Sequence, residues 1–204
     1  MQSKPLIIAH RGGKFWKGTN FSYIAEAVRD GADIIELDIR LKRGEYIVQH
    51  GPFGKNQGRL DDALKVVSSA GIYLDLKSKD IDINTLVAYI RTKHNNQIIV
   101  GSFHAPLLKS LTDPSVIKIC HCLLPSRAIE KAKAVGAHWV SPLCHVVTRK
   151  LADKIEAAGF KFVPGGSTFF KKYEIFKKQL RFVQHGAHAI ATHHVGKFKV
   201  LLKK

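Results

Sequence analysis

The stretch Gly31-Ala32-Asp33-Ile34 decides the fold, because a glycine there ends a helix-like segment and a strand-like run of β-branched residues follows directly. Glycine just past a helix end accepts the positive φ that terminates the last helical turn. The same junction recurs at Gly71-Ile72, Gly136-Ala137-His138-Trp139, Gly159-Phe160 and Gly186-Ala187-His188-Ala189. Repeated junctions of this kind indicate a chain in which strands and helices alternate.

Strand-like runs and helix-period segments alternate along the whole chain. The predicted strands are 6–9, 34–39, 72–76, 98–100, 116–120, 138–140, 160–163 and 189–191. The predicted helices are 21–29, 60–69, 83–93, 126–135, 151–158 and 173–185, with Thr148 as the N-cap of the fifth. A run at 46–49 is predicted to form a short hairpin with the second strand. We predict an α/β fold, a single (β/α)₈ TIM barrel, with an open doubly wound sheet as the alternative.

Length and composition restrict the class of protein further. The chain has 204 residues, of which 45% are hydrophobic, which suits a single domain over 1–204 with an ordinary core. The 33 Lys and Arg exceed the 16 Asp and Glu and give a formal charge of +17, which favours an anionic partner. No apolar run is long enough to cross a membrane. Three cysteines are too few for a disulfide framework, so we expect a cytoplasmic protein.

Polar side chains collect where the early strands are predicted to end, which is the edge where a barrel has its active site. Residues two apart in a strand share one face, so neighbouring pairs within a strand point the same way. The candidates are His10 and Arg11 after the first strand, Glu36 and Asp38 in the second, His50 after the hairpin strand, Asp75 and Lys77 in the third, and Ser102 and His104 at the end of the fourth.

These residue types together indicate chemistry on a phosphodiester. Glu36, Asp38 and Asp75 would repel one another strongly if they were buried together without a cation. Mg²⁺ or Ca²⁺ is expected there because both prefer oxygen ligands, and Mn²⁺ is a further option. Two histidines beside the ion can act as general base and general acid, while an arginine and a lysine hold a phosphate. The combination predicts metal-assisted phosphodiester cleavage.

Several of these segments resemble the glycerophosphodiester phosphodiesterase family. The similarity is most specific in Ile8-Ala9-His10-Arg11-Gly12, residues 31–39, Ile47-Val48-Gln49-His50 and Leu74-Asp75-Leu76-Lys77. It continues through Val100-Gly101-Ser102-Phe103-His104 and becomes faint after Ser110, where residues 186–192 resemble the family's final strand. The similarity therefore covers nearly the whole chain.

The resemblance implies a TIM barrel that cleaves glycerophosphodiesters, or lysophospholipid-type diesters, to glycerol 3-phosphate and an alcohol. It also implies a role for each candidate residue. By resemblance, the metal ligands are Glu36, Asp38 and Asp75, the acid–base pair is His10 and His50, the phosphate-binding residues are Arg11 and Lys77, and the substrate contacts are Ser102 and His104.

The chain departs from the family pattern at several positions. Asp75 stands where a glutamate is usual, and residues 17–20 read Lys-Gly-Thr-Asn in place of Pro-Glu-Asn-Thr. His193 replaces the usual acidic residue after the last strand. Only residues 51–59 stand where most members carry an inserted subdomain, so we expect an open mouth to the barrel.

A zinc site is an alternative reading of the cysteines and their neighbouring histidines. Cys120-His121-Cys122 and Cys144-His145 offer the ligand types that zinc prefers. Their spacing is not that of a zinc ribbon or finger, however. We expect Cys120 to be a small buried hydrophobic residue of a strand.

Positive charge concentrates in the C-terminal third, at Lys171-Lys172, at Lys177-Lys178 and in a basic tail over about 197–204. A solvated helix face and a peripheral contact with an anionic membrane are the expected roles. No nucleic-acid-binding motif is recognisable, so nucleic acid is not an expected partner. The functional alternative to an enzyme is a degenerate barrel that binds polyanions through this charge.

Overall fold

The structure, a computed structural model, describes residues 4–13, 21–51, 58–165 and 176–203. Some residues discussed above lie outside these ranges: 17–20, residues 173–175 of a predicted helix, and Lys171, Lys172 and Lys204 of the basic segments. Ten strands within the ranges form one sheet: β1 (Leu6–Ala9), β2 (Ile34–Lys42), β3 (Glu45–Val48), β4 (Gly58–Arg59), β5 (Gly71–Leu76), β6 (Ile98–Ser102), β7 (Ile117–Cys122), β8 (Trp139–Pro142), β9 (Lys161–Phe162) and β10 (Ala189–Thr192).

Eight of these strands run parallel around a barrel. Their order is β10-β1-β2-β5-β6-β7-β8-β9, so the first and last strands of the chain are neighbours. The ring closes where the amide nitrogen of His188 donates to the carbonyl oxygen of Phe162, at 2.9 Å. A doubly wound sheet reverses its strand order at a switch point, which this order does not do. The predicted TIM barrel is therefore confirmed.

The predicted hairpin is also present, as an extension of β2 beyond the barrel. β3 pairs antiparallel with the end of β2, with Ile39 opposite Val48 and Lys42 opposite Glu45. The turn between them has positive φ at Arg43 (50°) and Gly44 (80°), the combination that two-residue hairpin turns require. The short strand β4 then pairs with β3.

Eight α-helices lie in the described ranges: α1 (Ser22–Arg29), α2 (Leu60–Val67), α3 (Ile83–Arg91), α4 (Ala105–Ser110), α5 (Ala128–Ala134), α6 (Arg149–Ala157), α7 (Phe176–Gln184) and α8 (Val195–Lys203). The Thr148 side chain accepts a hydrogen bond from the amide of Leu151 at 3.2 Å, which confirms it as the N-cap of α6. None of these helices is long and apolar enough to cross a bilayer.

The barrel interior holds one apolar layer beneath its open end. Ile8, Ile34, Tyr73, Ile119 and Trp139 belong to this inner cluster, which is separate from the larger core between strands and helices. Because side chains alternate along a strand, the residues two positions further along also point inward. The interior layer thereby determines which side chains reach the mouth.

The segment that we expected to be a basic tail is the C-terminal part of α8. Phe198 is fully buried there, and its ring meets Phe176 edge-on with centroids 4.8 Å apart. Lys199 reaches Asp33 with 3.1 Å between Nζ and Oδ1. The alternation of apolar and basic residues is thus the pattern of a helix that packs on the barrel with one side.

Truncating Phe198 should therefore destabilise the whole barrel. Phe198→Ala removes a fully buried ring, and we expect the free energy of unfolding to fall by about 3–5 kcal/mol. Val200→Ala is the matched control in the same helix, because Val200 is 64% exposed and should change stability by less than about 0.5 kcal/mol. Urea denaturation measures both, and equal effects would show that α8 does not dock as described.

Candidate active site

Three carboxylates converge at the mouth of the barrel. Glu36 and Asp38 follow the inward-facing Ile34 along β2, and Asp75 follows the inward-facing Tyr73 along β5. Asp38 and Asp75 are directly paired in the β2–β5 register. Carboxylate oxygens of all three lie within 4.8 Å of one another, and each residue is at most 5% exposed. The structure thus brings the three predicted metal ligands together.

Burial and mutual repulsion act strongly on this cluster. Burial raises the pKa of Glu36 well above its usual value, and the neighbouring charges of Asp38 and Asp75 raise it further. Glu36 Oε2 and Asp75 Oδ1 are buried and have no hydrogen-bond partner among the described residues. A buried carboxylate oxygen without a donor is costly, and a hard divalent cation would satisfy both atoms at once. The donor set, all oxygen, fits Mg²⁺, Ca²⁺ or Mn²⁺.

Two cations adjoin the carboxylates. Lys77 Nζ lies 3.0 Å from Asp38 Oδ1 and also contacts the Asp75 carboxylate. Arg11 Nε lies 3.5 Å from Asp38 Oδ2. Burial opposes the charge of Lys77, but Asp75 and Asp38 outweigh it and raise the pKa of Lys77 above its usual range. Burial likewise acts to raise the pKa of Asp38, but its cationic neighbours outweigh that effect and lower it, Lys77 most of all.

The turn after β1 aims His10 and Arg11 into the mouth. Arg11 has a φ of 50°, and Gly12 and Gly13 follow with 72° and 100°. A Cβ on Gly12 would lie only 2.6 Å from a ring carbon of Tyr23, so a glycine is required there. His10 Nε2 comes within 3.9 Å of Glu36 Oε2. A left-handed conformation at a non-glycine residue is strained and is often found at functional sites.

His50 reaches the same cavity from the end of the hairpin. The amide of Gln49, the residue before His50, donates to the carbonyl oxygen of Asp38 at 2.8 Å. This hydrogen bond extends the β2–β3 pairing as far as Gln49. Arg40 donates two hydrogen bonds to the carbonyl oxygen of His50, at 3.1 and 2.8 Å. Burial lowers the pKa of His50 to about 4, so its ring is neutral at pH 7 in the metal-free protein. His10 and His50 both line the cavity that the carboxylates border.

Sequence reasoning missed His121 as a residue of this cavity. Its Nε2 lies 2.5 Å from the hydroxyl oxygen of Tyr73 and 3.7 Å from Asp75 Oδ1, and its ring stacks on Phe103 with centroids 4.9 Å apart. The signal was available in the alternation of β7, where Ile119 and His121 face inward. Gly101 leaves the necessary space, since a Cβ there would lie 2.5 Å from the Tyr73 hydroxyl.

The cysteines flanking His121 point away from the cavity. Cys120 and Cys122 are buried with their sulfurs 3.7 Å apart, and both belong to the core beneath the helices. Cys144 is buried as well. Within the described ranges, the carboxylate cluster is the group of side chains with metal-binding geometry. The expectation that Cys120 is a buried strand residue is confirmed.

Ser102 and His104 are not brought to the cavity. Ser102 is fully buried, and its hydroxyl donates to the carbonyl oxygen of Leu76 and accepts from the amide of His104, both at 3.1 Å. His104 precedes α4, and neither residue is among those that line the cavity in the described part of the chain. Their hydrogen bonds instead join β5, β6 and the start of α4.

If Glu36 is a metal ligand, its buried carboxyl group should lower the stability of the metal-free protein. We expect Glu36→Gln to raise the free energy of unfolding in EDTA by about 1–3 kcal/mol at pH 8, because it removes a buried acid whose ionisation is disfavoured by burial and by the neighbouring carboxylates. Because the pKa of Glu36 is raised in the folded state, the wild-type protein loses stability as the pH rises through the folded-state pKa. The stabilisation by Glu36→Gln should therefore be smaller at pH 5 than at pH 8. Urea denaturation at both pH values checks this, and a variant less stable than the wild type at pH 8 would contradict it.

No model of a known protein family matches the chain, and no curated protein is similar to it in sequence. Solved structures, in contrast, match it over nearly its whole length. A phosphodiesterase from Oleispira antarctica, in complex with the product sn-glycerol-3-phosphate, has a TM-score of 0.80 at 17% identity and covers 98% of this chain and 97% of its own.

Two further structures match as well. A proposed glycerophosphodiester phosphodiesterase from Galdieria sulphuraria has a TM-score of 0.82 at 18% identity, with 98% of each chain covered. A glycerophosphodiester phosphodiesterase from Parabacteroides distasonis has a TM-score of 0.75 at 17% identity and covers 100% of this chain and 98% of its own. The chain therefore has the fold of glycerophosphodiester phosphodiesterase structures.

Proposed function

We propose that the protein is a metal-dependent phosphodiesterase of the glycerophosphodiester phosphodiesterase family, which hydrolyses glycerophosphodiesters to glycerol 3-phosphate and an alcohol. The observation that carries the proposal is the convergence of Glu36, Asp38 and Asp75 in one buried cluster at the barrel mouth. The Oleispira structure, which holds sn-glycerol-3-phosphate on the same fold, supports the choice of substrate. Three free cysteines support a cytoplasmic location.

The three carboxylates would hold one Mg²⁺, Ca²⁺ or Mn²⁺ ion. When bound, the ion supplies positive charge that neutralises the phosphodiester and the charge developing in the transition state. Arg11 and Lys77 stand beside the same carboxylates and would bind the remaining phosphate oxygens. Arg offers paired hydrogen bonds and Lys a point charge, so together they orient the phosphorus for attack.

His10 and His50 would move the protons. One of them accepts the proton of the attacking hydroxyl, and the other donates a proton to the oxygen of the leaving alcohol. The lowered pKa of His50 keeps its ring in the neutral form that accepts a proton. If the glycerol hydroxyl of the substrate attacks first, a cyclic phosphate forms and the alcohol leaves. Water then opens the ring with the two histidines in reversed roles.

Removing either histidine should strongly lower turnover without unfolding the protein. We expect His10→Ala and His50→Ala to lower kcat/KM by about 10²–10⁴ for glycerophosphodiesters with Mg²⁺, Mn²⁺ or Ca²⁺. His138→Ala is the control, because His138 is exposed and precedes β8 at the opposite end of the barrel. Release of glycerol 3-phosphate is the readout. No product from any glycerophosphodiester or lysophospholipid with any of these ions would refute the proposal.

A peripheral membrane contact is a second candidate role for the basic C-terminal region. Val200 is 64% exposed and Leu201 40% exposed on α8, beside the lysines of the same helix. Apolar side chains among lysines are the pattern of surfaces that touch anionic lipid. Flotation of the protein with vesicles that contain or lack anionic lipid tests the membrane contact. The alternative role, a degenerate barrel that binds polyanions, predicts salt-sensitive binding to polyanions that persists in Glu36→Ala.

A further inference from the structure

The cavity has two chemically different sides. The strands β1, β2 and β5 contribute its charged side chains, which are those already described. On the other side, apolar residues come just after the ends of β6, β7, β8 and β9, and they are Phe103, Leu123, Leu143 and Pro164. The polar side chains that line the cavity from this part of the barrel are those of His121, Ser141 and His145. Four consecutive strand ends therefore give the mouth an apolar wall opposite the carboxylates.

This wall is open to solvent at its rim. Leu123 is 60% exposed although it lines the cavity, and Phe103 is 37% exposed. Large hydrophobic side chains of the described residues are otherwise mostly buried. Exposed apolar side chains that border a binding cavity are typical of a surface that a ligand covers.

Among the described residues, this side of the cavity has no carboxylate of its own that could pair with a cationic ligand. Among the described residues that line the cavity, the carboxylates are Glu36, Asp38 and Asp75, and all three belong to the cluster on β2 and β5. The ammonium of Lys131 stands behind the wall, 3.0 Å from the carbonyl oxygens of both Phe103 and His121. A cationic group beside Phe103 would therefore lie near the positive charge of Lys131.

Among the described residues, the aromatic side chains that line the cavity, Tyr73 and Phe103, do not form a cage for a quaternary ammonium group either. Such cages present several ring faces to the cation. The Phe103 ring is stacked against His121 with 26° between the ring planes, so one of its faces is covered. The Tyr73 hydroxyl is engaged by His121 as well.

We propose that this apolar wall binds the alcohol portion of the diester, and that the preferred substrates carry an uncharged alkyl alcohol in place of choline or ethanolamine. The inference rests on the proposed phosphodiesterase function and adds the class of its leaving group. The phosphate end of the substrate lies at the charged side of the cavity, and the alkyl group lies over Leu123 and Leu143.

A series of glycerol 3-phosphate diesters that differ only in the alcohol tests the inference. The ethyl, hexyl and choline esters are compared with the ion that gives the highest turnover. We expect kcat/KM to rise about tenfold or more from ethyl to hexyl, since four added methylene groups become partly buried. The choline ester should be hydrolysed at least about tenfold less efficiently than the hexyl ester. Equal kcat/KM values for the hexyl and choline esters would overturn the inference and leave the phosphodiesterase function standing.

Two neighbouring leucines provide the matched variants. Leu123 and Leu124 are each 60% exposed, but only Leu123 lines the cavity. Leu123→Ser should lower the hexyl-to-ethyl ratio several-fold, whereas Leu124→Ser should leave it unchanged. If both variants lower the ratio equally, the preference belongs to the general surface and the proposed subsite is wrong.

Failure of the phosphodiesterase proposal would be recognised separately. If no ester is hydrolysed, calorimetric titration of the same protein with the hexyl and choline esters decides the matter. Tighter binding of the hexyl ester, weakened by Leu123→Ser and not by Leu124→Ser, would support the apolar subsite without the reaction. Equal binding, or no binding of either ester, would overturn it.

Discussion

The repulsion among three buried carboxylates is the constraint on which the rest of the site depends. Glu36, Asp38 and Asp75 lie within 4.8 Å of one another and are almost fully removed from water. Lys77 and Arg11 offset part of the cost, chiefly at Asp38. Two buried oxygens keep no donor among the described residues, and a bound divalent cation would satisfy both of them.

The barrel supplies this constraint through its most regular feature, the alternation of side chains along parallel strands. The inward-facing layer that contains Ile34 and Tyr73 sets the phase of β2 and β5, and the acidic residues come two and four positions later. The same phase on β7 brings His121 inward and sends its cysteine neighbours outward. The strands β1, β2 and β5 therefore contribute the charged side of the cavity, and the strands β6 to β9 contribute the apolar side.

Much of the architecture could be predicted from the sequence because it depends on local periodicity. The barrel, the hairpin and the Thr148 cap all follow from short patterns. The sequence predicts a basic tail where α8 lies, because the lysines around Phe198 give no local sign that its side chain is buried. His121 was weighed only as a zinc ligand, since its contacts with Tyr73 and Asp75 join strands far apart in sequence. Ser102 looked available for substrate, yet its hydroxyl is used to connect backbone groups.

Counting the ions that the protein binds tests the central claim most directly. Electron paramagnetic resonance of free Mn²⁺, titrated with the purified protein, gives the number of bound ions per chain. The account predicts one Mn²⁺ per chain, displaced by Mg²⁺ or Ca²⁺, and none after Asp38→Asn combined with Asp75→Asn. A wild type that leaves all Mn²⁺ free, or a double variant that binds it unchanged, would contradict the claim that the carboxylates form a metal site.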